Sequence, residues 1–400
     1  MRQGFRVIDA DTHVNPSLQL LLRYAEGDKA KMEGRLKPHT LMTKRRSLAD
    51  SATEEHDMLS INPVRYNRVA GQKGGGDSLP RTGAQHNLMG RTKFTTSKEF
   101  SVATAEDNPA GRLVDMDVEG RDIDFIIPGT WAYAATSLEL DLTLQLFTSY
   151  HNYMSDFCSE DSRRLKGLII APCTDPQWAA AAIRRYAKED WAAAVWPVLP
   201  EGMPIDDPDL EPIWQAASEG DFPILYHSFH VMSPYFPGYR DVWDNAVMGR
   251  TAGQTWGAAR FIAFMTMSGV LDRYPNLRLA PVEAGHGWLP HWLIRLGRQI
   301  EYVSGAVPPD LKHTPLEYAQ MGRIFCGIDY NEGPEMTKAV NDVIGPDILM
   351  YQSDYPHPET SYPDTTDLVL GWKELLGAEA TGKLMWENAA RCFRLTTTPW

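Results

Sequence analysis

Four side chains of the types that bind transition metals follow apolar runs of this chain, although they lie far apart in sequence. They are Asp11, His13, His227 and Asp354. Asp11 and His13 are two residues apart, so on a β-strand both side chains point to the same face. Imidazole nitrogens and carboxylate oxygens together suit zinc, manganese or iron. The pattern therefore predicts one metal centre where the ends of three strands meet.

Two further candidates stand in the segment 281–288, directly after another apolar run. A buried carboxylate such as Glu283 is costly unless it has a partner, and that partner is either a metal ion or an arginine. His286 is expected in the same site, as a metal ligand or as a general base. Asp354 has a second expected role, because a carboxylate there can bind metal and accept a proton from metal-bound water. His286 and Asp354 are thus the predicted catalytic groups.

Five other side chains are candidates for contact with substrate: His230, Trp131, Tyr133, Trp196 and His357. His230 follows His227 by three residues, and it either meets substrate or lies in an ordinary loop. The three aromatic residues fall within or just after predicted strands, where they either line a small apolar pocket or pack in the core. His357 stands in the turn that follows Asp354.

The composition limits the class of protein. The chain has 400 residues, a hydrophobic content of 43% and a formal net charge of −13, which argues against nucleic acid or an acidic membrane as a partner. No stretch of 18 apolar residues occurs, and the start of the chain lacks the apolar region of a signal peptide. The four cysteines are scattered and are expected to be free thiols. We therefore expect a soluble, cytoplasmic protein.

Eight apolar runs alternate with helical or long connecting segments. This alternation predicts an α/β protein built as a (β/α)8 TIM barrel. The runs are 5–11, 123–129, 166–172, 193–199, 222–228, 277–284, 323–328 and 347–353. Residues 1–13 and 116–400 are assigned to this barrel.

The segment 14–115 does not fit the barrel pattern and is predicted to be a long insertion after the first strand. A loop of this length in a compact domain is usually functional or disordered. We expect an ordered segment that covers the barrel mouth or meets another subunit. Its Gly-rich patch at 71–76 is not a phosphate-binding loop, because the Gly-Lys-Ser/Thr ending is absent.

Taken together, the motifs resemble those of the amidohydrolase superfamily. The match spans 5–13 and most of 120–395, and the branch is the one that includes aminocarboxymuconate-semialdehyde decarboxylase. The motifs are Asp9-Ala10-Asp11-Thr12-His13, Leu225-Tyr226-His227, the segment 271–278, Glu283-Ala284-Gly285-His286-Gly287-Trp288 and Ser353-Asp354-Tyr355-Pro356-His357. The resemblance implies a metal-dependent barrel in which Asp11, His13, His227 and Asp354 bind the metal. It places the acid/base histidine of the decarboxylases on or near His286.

The segment 193–198 contains no lysine, so the carboxylated lysine of two-metal hydrolases is not expected. The chain is also similar to an oxygenase branch typified by α-aminoisobutyrate hydroxylase. We therefore rank an O2-dependent monooxygenase first, with one or two iron or manganese ions and zinc as the alternative metal. A small carboxylate or amino acid is the expected substrate, and a related barrel subunit is an expected partner. A non-oxidative decarboxylase and a metal-dependent hydrolase or hydratase are the alternatives.

Overall fold

The computed structural model of the chain describes residues 1–46, 53–59, 107–129, 131–200, 202–227, 246–357 and 360–395. Ten strands lie in these ranges. They are β1 (Ile8–Val14), β2 (Thr40–Arg46), β3 (Thr53–Leu59), β4 (Ile123–Pro128), β5 (Leu165–Pro172), β6 (Ala192–Val198), β7 (Ile224–His227), β8 (Leu279–Val282), β9 (Cys326–Gly327) and β10 (Leu349–Met350). Each of the eight predicted strands is present, and β2 and β3 form a separate antiparallel hairpin.

The eight parallel strands close into a ring. Six of them form one sheet in the order β1-β4-β5-β6-β7-β8, and β9 pairs with β10. Leu279 in β8 accepts a hydrogen bond from the backbone N–H of Phe325, which connects the sheet to the segment leading into β9. Ala10 in β1 donates to the carbonyl of Tyr351, which joins β1 to the end of β10. The predicted (β/α)8 barrel is therefore confirmed.

Helices connect the strands and cover the barrel. The helices with α geometry are α1 (Leu18–Arg23), α2 (Lys29–Leu36), α3 (Pro109–Glu119), α4 (Trp131–Ala135), α5 (Leu140–Cys158), α6 (Pro176–Tyr186), α7 (Glu211–Glu219), α8 (Ala246–Met248), α9 (Gln254–Met267), α10 (Val270–Arg273), α11 (Leu289–Tyr302), α12 (Pro315–Gln320), α13 (Gly333–Ile344), α14 (Thr365–Leu370), α15 (Lys373–Leu376), α16 (Ala378–Gly382) and α17 (Asn388–Cys392). None of the helices in the described ranges combines the length and apolar character needed to cross a bilayer. The four cysteines are buried free thiols, as expected.

The end of α3 shows how local sequence sets the boundaries of these elements. Asn108 caps the start of α3 by accepting a hydrogen bond from the N–H of Gly111, and Pro109 occupies the first turn. Gly120 ends the helix in a left-handed conformation with a φ of 82°. The predicted end of the insertion at residue 115 therefore falls inside α3, a helix that leads directly into β4. The Gly-rich patch at 71–76 lies outside the described residues.

One buried histidine supports a barrel strand from outside the metal centre. The N–H of Ile170 in β5 donates to Nε2 of His151, at 2.9 Å. The His151 ring is fully buried against Tyr186, Trp178 and Trp191. Burial lowers the pKa of His151 to about 3, so the neutral ring is the form that this site stabilises.

We predict that His151→Leu destabilises the protein, by about 1–3 kcal/mol at pH 7, because it leaves the buried N–H of Ile170 without an acceptor. The pKa of His151 is lower in the folded chain than in the unfolded one. Its contribution to stability is therefore present above pH 6.5 and is lost as the pH falls toward about 3. The free energy of unfolding of the variant should accordingly fall less between pH 7 and pH 5 than that of the wild type.

Urea unfolding at pH 7 and pH 5 measures both effects. Tyr150→Phe is the matched control, since Tyr150 is the adjacent buried ring and its hydroxyl has no hydrogen-bond partner. An equal pH dependence in His151→Leu and the wild type would contradict this account.

Candidate metal centre

Three strand ends bring the predicted metal ligands together. Asp11 and His13 lie in the second half of β1, His227 is the last residue of β7, and Asp354 follows β10. In a parallel barrel the carboxyl ends of the strands share one face, which is where active sites of this fold are found. The pairing of β1 with β4 shifts by one residue between Asp9 and Thr12, which marks a β-bulge just before the ligands.

His13 lies at the centre of these four residues, and its Nε2 atom is close to a donor atom of each of the other three. His13 Nε2 lies 3.1 Å from Asp11 Oδ1, 3.0 Å from Asp354 Oδ1 and 3.3 Å from His227 Nε2. His227 Nε2 is also 3.6 Å from Asp11 Oδ1. Metal–ligand bonds of 2.0–2.2 Å separate neighbouring ligand atoms by about 3.0–3.5 Å. The spacing of Asp11, His13 and His227 therefore fits a single cation, and His13, Asp354 and His357 form a second, overlapping group of possible ligands.

The carboxylate of Asp11 is the clearest sign that a cation is needed. Asp11 is fully buried, and among the described residues its oxygens accept no hydrogen bond of good geometry, although Oδ1 lies 3.1 Å from His13 Nε2. A buried carboxylate with so little compensation is unfavourable. A metal ion held between Asp11, His13 and His227 would satisfy these oxygens, so the residues present fit such an ion.

The pKa values reflect the crowding of charge. Burial raises the pKa of Asp11 above its ordinary value. Burial alone would lower the pKa of His13, but the adjacent carboxylates of Asp11 and Asp354 raise it well above its usual range. For Asp354 the effect of burial is outweighed by His357 and His13, which lower its pKa. In the absence of a metal ion, His13 is therefore the group that carries the compensating positive charge.

Glu283 lies at the edge of this cluster. Its Oε2 is 2.8 Å from His227 Nε2, and its Oε1 accepts a hydrogen bond of 2.7 Å from Gln254 Nε2. Glu283 has a φ of 49°, an uncommon conformation for a residue with a side chain, and such strain is often found at functional sites. Sequence reasoning missed Gln254, because nothing in its local sequence indicates that the start of α9 reaches the end of β8.

His357 makes direct contact with two of the predicted ligands. Its Nδ1 is 2.7 Å from Asp354 Oδ1, and its ring stacks on His13 with centroids 4.1 Å apart. About a third of its side chain is exposed (36%), whereas the side chain of His13 is 2% exposed. His357 therefore lies between the buried ligands and solvent.

The structure separates His286 from the predicted metal ligands. Its Nε2 is 2.9 Å from Thr337 Oγ1, and its Nδ1 accepts a hydrogen bond from the N–H of Asp329 and lies 3.0 Å from Glu332 Oε2. Burial lowers the pKa of His286 to about 4. Glu283, three residues earlier, is the member of this motif that reaches His227. We therefore revise the assignment of His286 from ligand or catalytic base to support of the loop that follows β8.

The three aromatic candidates are buried in the described structure. Trp131, Tyr133 and Trp196 are all at most 5% exposed, and the ring of Tyr133 packs edge-on against Trp196 at 5.1 Å. This burial favours the core-packing alternative over an open pocket wall. His230 lies outside the described residues.

Comparison with known proteins identifies the family. The amidohydrolase family model matches residues 132–395, which is more than half of the chain. The chain belongs to the amidohydrolase family. This confirms the resemblance that the motifs indicate.

Solved structures with the same fold include three decarboxylases. The 5-carboxyvanillate decarboxylase from Sphingomonas paucimobilis has a TM-score of 0.66 at 20% identity, over 98% of this chain and 100% of that one. The 5-carboxyvanillate decarboxylase from Novosphingobium aromaticivorans, in complex with manganese and 4-hydroxy-3-methoxy-5-nitrobenzoic acid, has a TM-score of 0.66 at 18% identity, over 98% and 97%. The 2,6-dihydroxybenzoate decarboxylase from Rhizobium has a TM-score of 0.59 at 15% identity, over 98% and 99%.

These neighbours overturn one expectation from the sequence. An O2-dependent oxygenase was ranked above a decarboxylase, whereas the three neighbours are decarboxylases, which are lyases. The ranking is therefore wrong. It relied on the resemblance to the oxygenase branch rather than on the spacing of the candidate ligands.

We predict that the purified protein binds roughly one equivalent of divalent transition metal per chain, because the two possible ligand groups share His13 and cannot each hold an ion independently. His13→Ala should abolish this binding while the fold survives, since His13 Nε2 is the atom nearest to the other donors and the barrel core does not need the ring. Elemental analysis and circular dichroism measure the two effects.

His39→Ala is the control for loss of an imidazole, because His39 is exposed and outside the cluster. Wild-type protein that binds no metal, prepared without chelator, would contradict the metal centre. Unfolding of His13→Ala would instead indicate a structural role for this side chain.

Proposed function

We propose that the protein is a metal-dependent decarboxylase that releases CO2 from a small carboxylic acid. The observation that carries the proposal is the buried group of Asp11, His13 and His227, whose donor atoms are spaced for one metal ion, with Asp354 Oδ1 3.0 Å from His13 Nε2. The cluster lies at the carboxyl ends of the strands, in a barrel that resembles known decarboxylases.

Two imidazoles and two carboxylates would hold the ion, with Glu283 as a further carboxylate within reach of His227. This mixed donor set suits manganese, and one neighbour was solved with manganese and a nitrobenzoic acid. When bound, the ion supplies positive charge that holds an anionic substrate and stabilises the negative charge that develops as CO2 leaves.

The substrate class follows from the neighbours and is part of the proposal. The name 2,6-dihydroxybenzoate describes a benzoic acid with hydroxyl groups next to the carboxylate. A carboxylate and a hydroxyl group on adjacent ring carbons can both bind the same cation. We therefore propose an aromatic acid with a hydroxyl group beside the carboxylate that is lost.

The reaction needs a proton but no oxidant. When the C–C bond breaks, its electron pair stays on the ring carbon and a proton must take the place of CO2. His357 is suited to deliver this proton, because an imidazole nitrogen can both accept and donate a proton. It is partly exposed to solvent and lies 2.7 Å from the buried Asp354. We propose that a proton passes from solvent through His357 at the side of the site formed by Asp354.

The two-metal hydrolase alternative has less support. β6 consists of Ala, Val, Trp and Pro residues, so it provides no lysine that could be carboxylated to bridge two ions.

We also propose a covering role for the insertion 14–115. β3 runs beside α1 and α4, and these helices follow the carboxyl ends of β1 and β4. The hairpin of β2 and β3 is thus on the side of the barrel where a lid or a subunit interface would influence access to the metal centre.

We predict that the manganese-loaded protein decarboxylates hydroxybenzoates without oxygen, because the reaction consumes only a proton. 2,6-Dihydroxybenzoate and 5-carboxyvanillate are the first substrates to assay, with CO2 release measured in an anaerobic chamber. His13→Ala should be inactive. Turnover that requires O2, or cleavage of amides or esters without CO2 release, would contradict the proposed function.

We predict that His357→Gln lowers kcat/KM by about 10²–10⁴-fold, the usual contribution of a positioned proton-transfer group. Its affinity for Mn²⁺ should stay within a few-fold of wild type, because the four main donors are intact. Isothermal titration with Mn²⁺ and steady-state kinetics separate the two effects. Loss of metal affinity in parallel with activity would show that His357 is a ligand rather than a proton carrier.

A further inference from the structure

The first and last strands of the barrel meet beside the metal centre. The N–H of Asp354 donates to the carbonyl of Asp11 at 3.0 Å, and the N–H of His13 donates to the carbonyl of Tyr355 at 2.7 Å. Three of the four proposed ligands therefore depend on how β1 and the segment after β10 are held together. We call this contact the closing seam.

A pair of buried side chains lies in the closing seam. Oδ1 of Asp9 accepts hydrogen bonds from the N–H of Asp11 at 3.3 Å and from the N–H of Ser353 at 3.0 Å. Oδ2 of Asp9 lies 2.5 Å from Ser353 Oγ, which accepts a hydrogen bond from the N–H of Tyr355 at 3.1 Å. The two side chains thus hold backbone amides on both sides of Asp354 and the amide of Asp11 itself.

This support matters most at Asp354, because its backbone is strained. Asp354 has a φ of 62°, a left-handed conformation that costs free energy for a residue with a side chain. Such a conformation persists only when the surroundings hold it. Asp9 Oδ1 accepts the hydrogen bond of the amide before Asp354, and Ser353 Oγ accepts that of the amide after it, so together they constrain this backbone.

Two buried arginines contact Asp9 and the backbone carbonyl of His13, which lies in the same strand. Arg121 Nη1 is 3.3 Å from Asp9 Oδ2 and 3.0 Å from Asp124 Oδ2. Arg112 Nε is 3.2 Å from the same oxygen of Asp124, and its Nη1 donates to the carbonyl of His13 at 2.9 Å. These arginines and carboxylates are all buried.

We propose that Asp9 and Ser353 are positioning residues that set the geometry of the metal ligands Asp11 and Asp354 through their backbone. The inference rests on the metal centre of the proposed function, but not on the substrate or the reaction. Neither side chain is within hydrogen-bonding distance of His227 in the contacts of the described residues, so both act through the backbone of the ligands.

The test is Mn²⁺ binding by Ser353→Ala, measured by electron paramagnetic resonance of the free ion without substrate. We expect Kd to rise by about tenfold or more, the usual effect of removing a group that orients a metal ligand. Ser149→Ala is the matched control, since Ser149 is also buried but its hydroxyl donates only to the carbonyl of Gln145 within α5. Its Kd should stay within twofold of wild type. Thermal unfolding of both variants shows whether the fold is retained.

Two variants of Asp9 keep the proposal testable should Ser353→Ala fail to fold. Asp9→Asn retains a carbonyl oxygen for the two N–H groups but loses the acceptor for Arg121, so its Kd should rise less than that of Asp9→Ala. Asp9→Ala removes all of these contacts and should weaken Mn²⁺ binding as Ser353→Ala does.

Wild-type Mn²⁺ affinity in folded Ser353→Ala and Asp9→Ala would overturn the positioning role while leaving the proposed function intact. Equal loss in Asp9→Asn and Asp9→Ala would overturn it as well, because the charge rather than the hydrogen bonds would then matter. Wild-type protein that binds no Mn²⁺ would contradict the metal centre itself, and this inference with it.

Discussion

The carboxylate of Asp11 has been removed from water without receiving a hydrogen bond of good geometry from the described residues in return. Its free energy is acceptable only if positive charge lies beside it, and the groups within reach are the imidazoles of His13 and His227. Protonation of His13 is one way to supply that charge, and a divalent cation is another. The rest of the centre follows from this requirement, because each neighbouring donor that approaches Asp11 or His13 is itself a group that binds metals.

A second buried ionic cluster supports the first without sharing its donor atoms. It contains two arginines and three carboxylic acids: Arg112, Arg121, Asp9, Glu119 and Asp124. Burial raises the pKa of Asp9 to about 8 and also raises that of Glu119. The one-residue bulge in β1 separates the two clusters, so that Asp9 and Asp11 bind different partners although they are two residues apart.

The barrel and the approach of the candidate ligands to one another were predictable from sequence because both depend on local patterns. An apolar run followed by a polar residue of a metal-binding type identifies a strand and its carboxyl end in a single segment. Partners from distant segments were not predictable: Gln254 reaches the site only through the fold, and no local signal marks it. For Glu283 and His286, the left-handed backbone at Glu283 decides which residue points to His227. The wrong ranking of an oxygenase has another cause, since it rested on resemblance to one branch of the superfamily.

The closing seam also constrains when the centre can exist during synthesis. Asp9 and Ser353 are 344 residues apart, so the first part of the seam is synthesised long before the second. A nascent chain that lacks its last segment can form most of the parallel sheet, yet it has neither Asp354 nor the groups that hold it. Contacts between such distant residues form late, because the loop they close is almost the whole chain. Loading of metal at this centre therefore requires that synthesis of the chain has passed Asp354, and shorter nascent chains cannot form the centre.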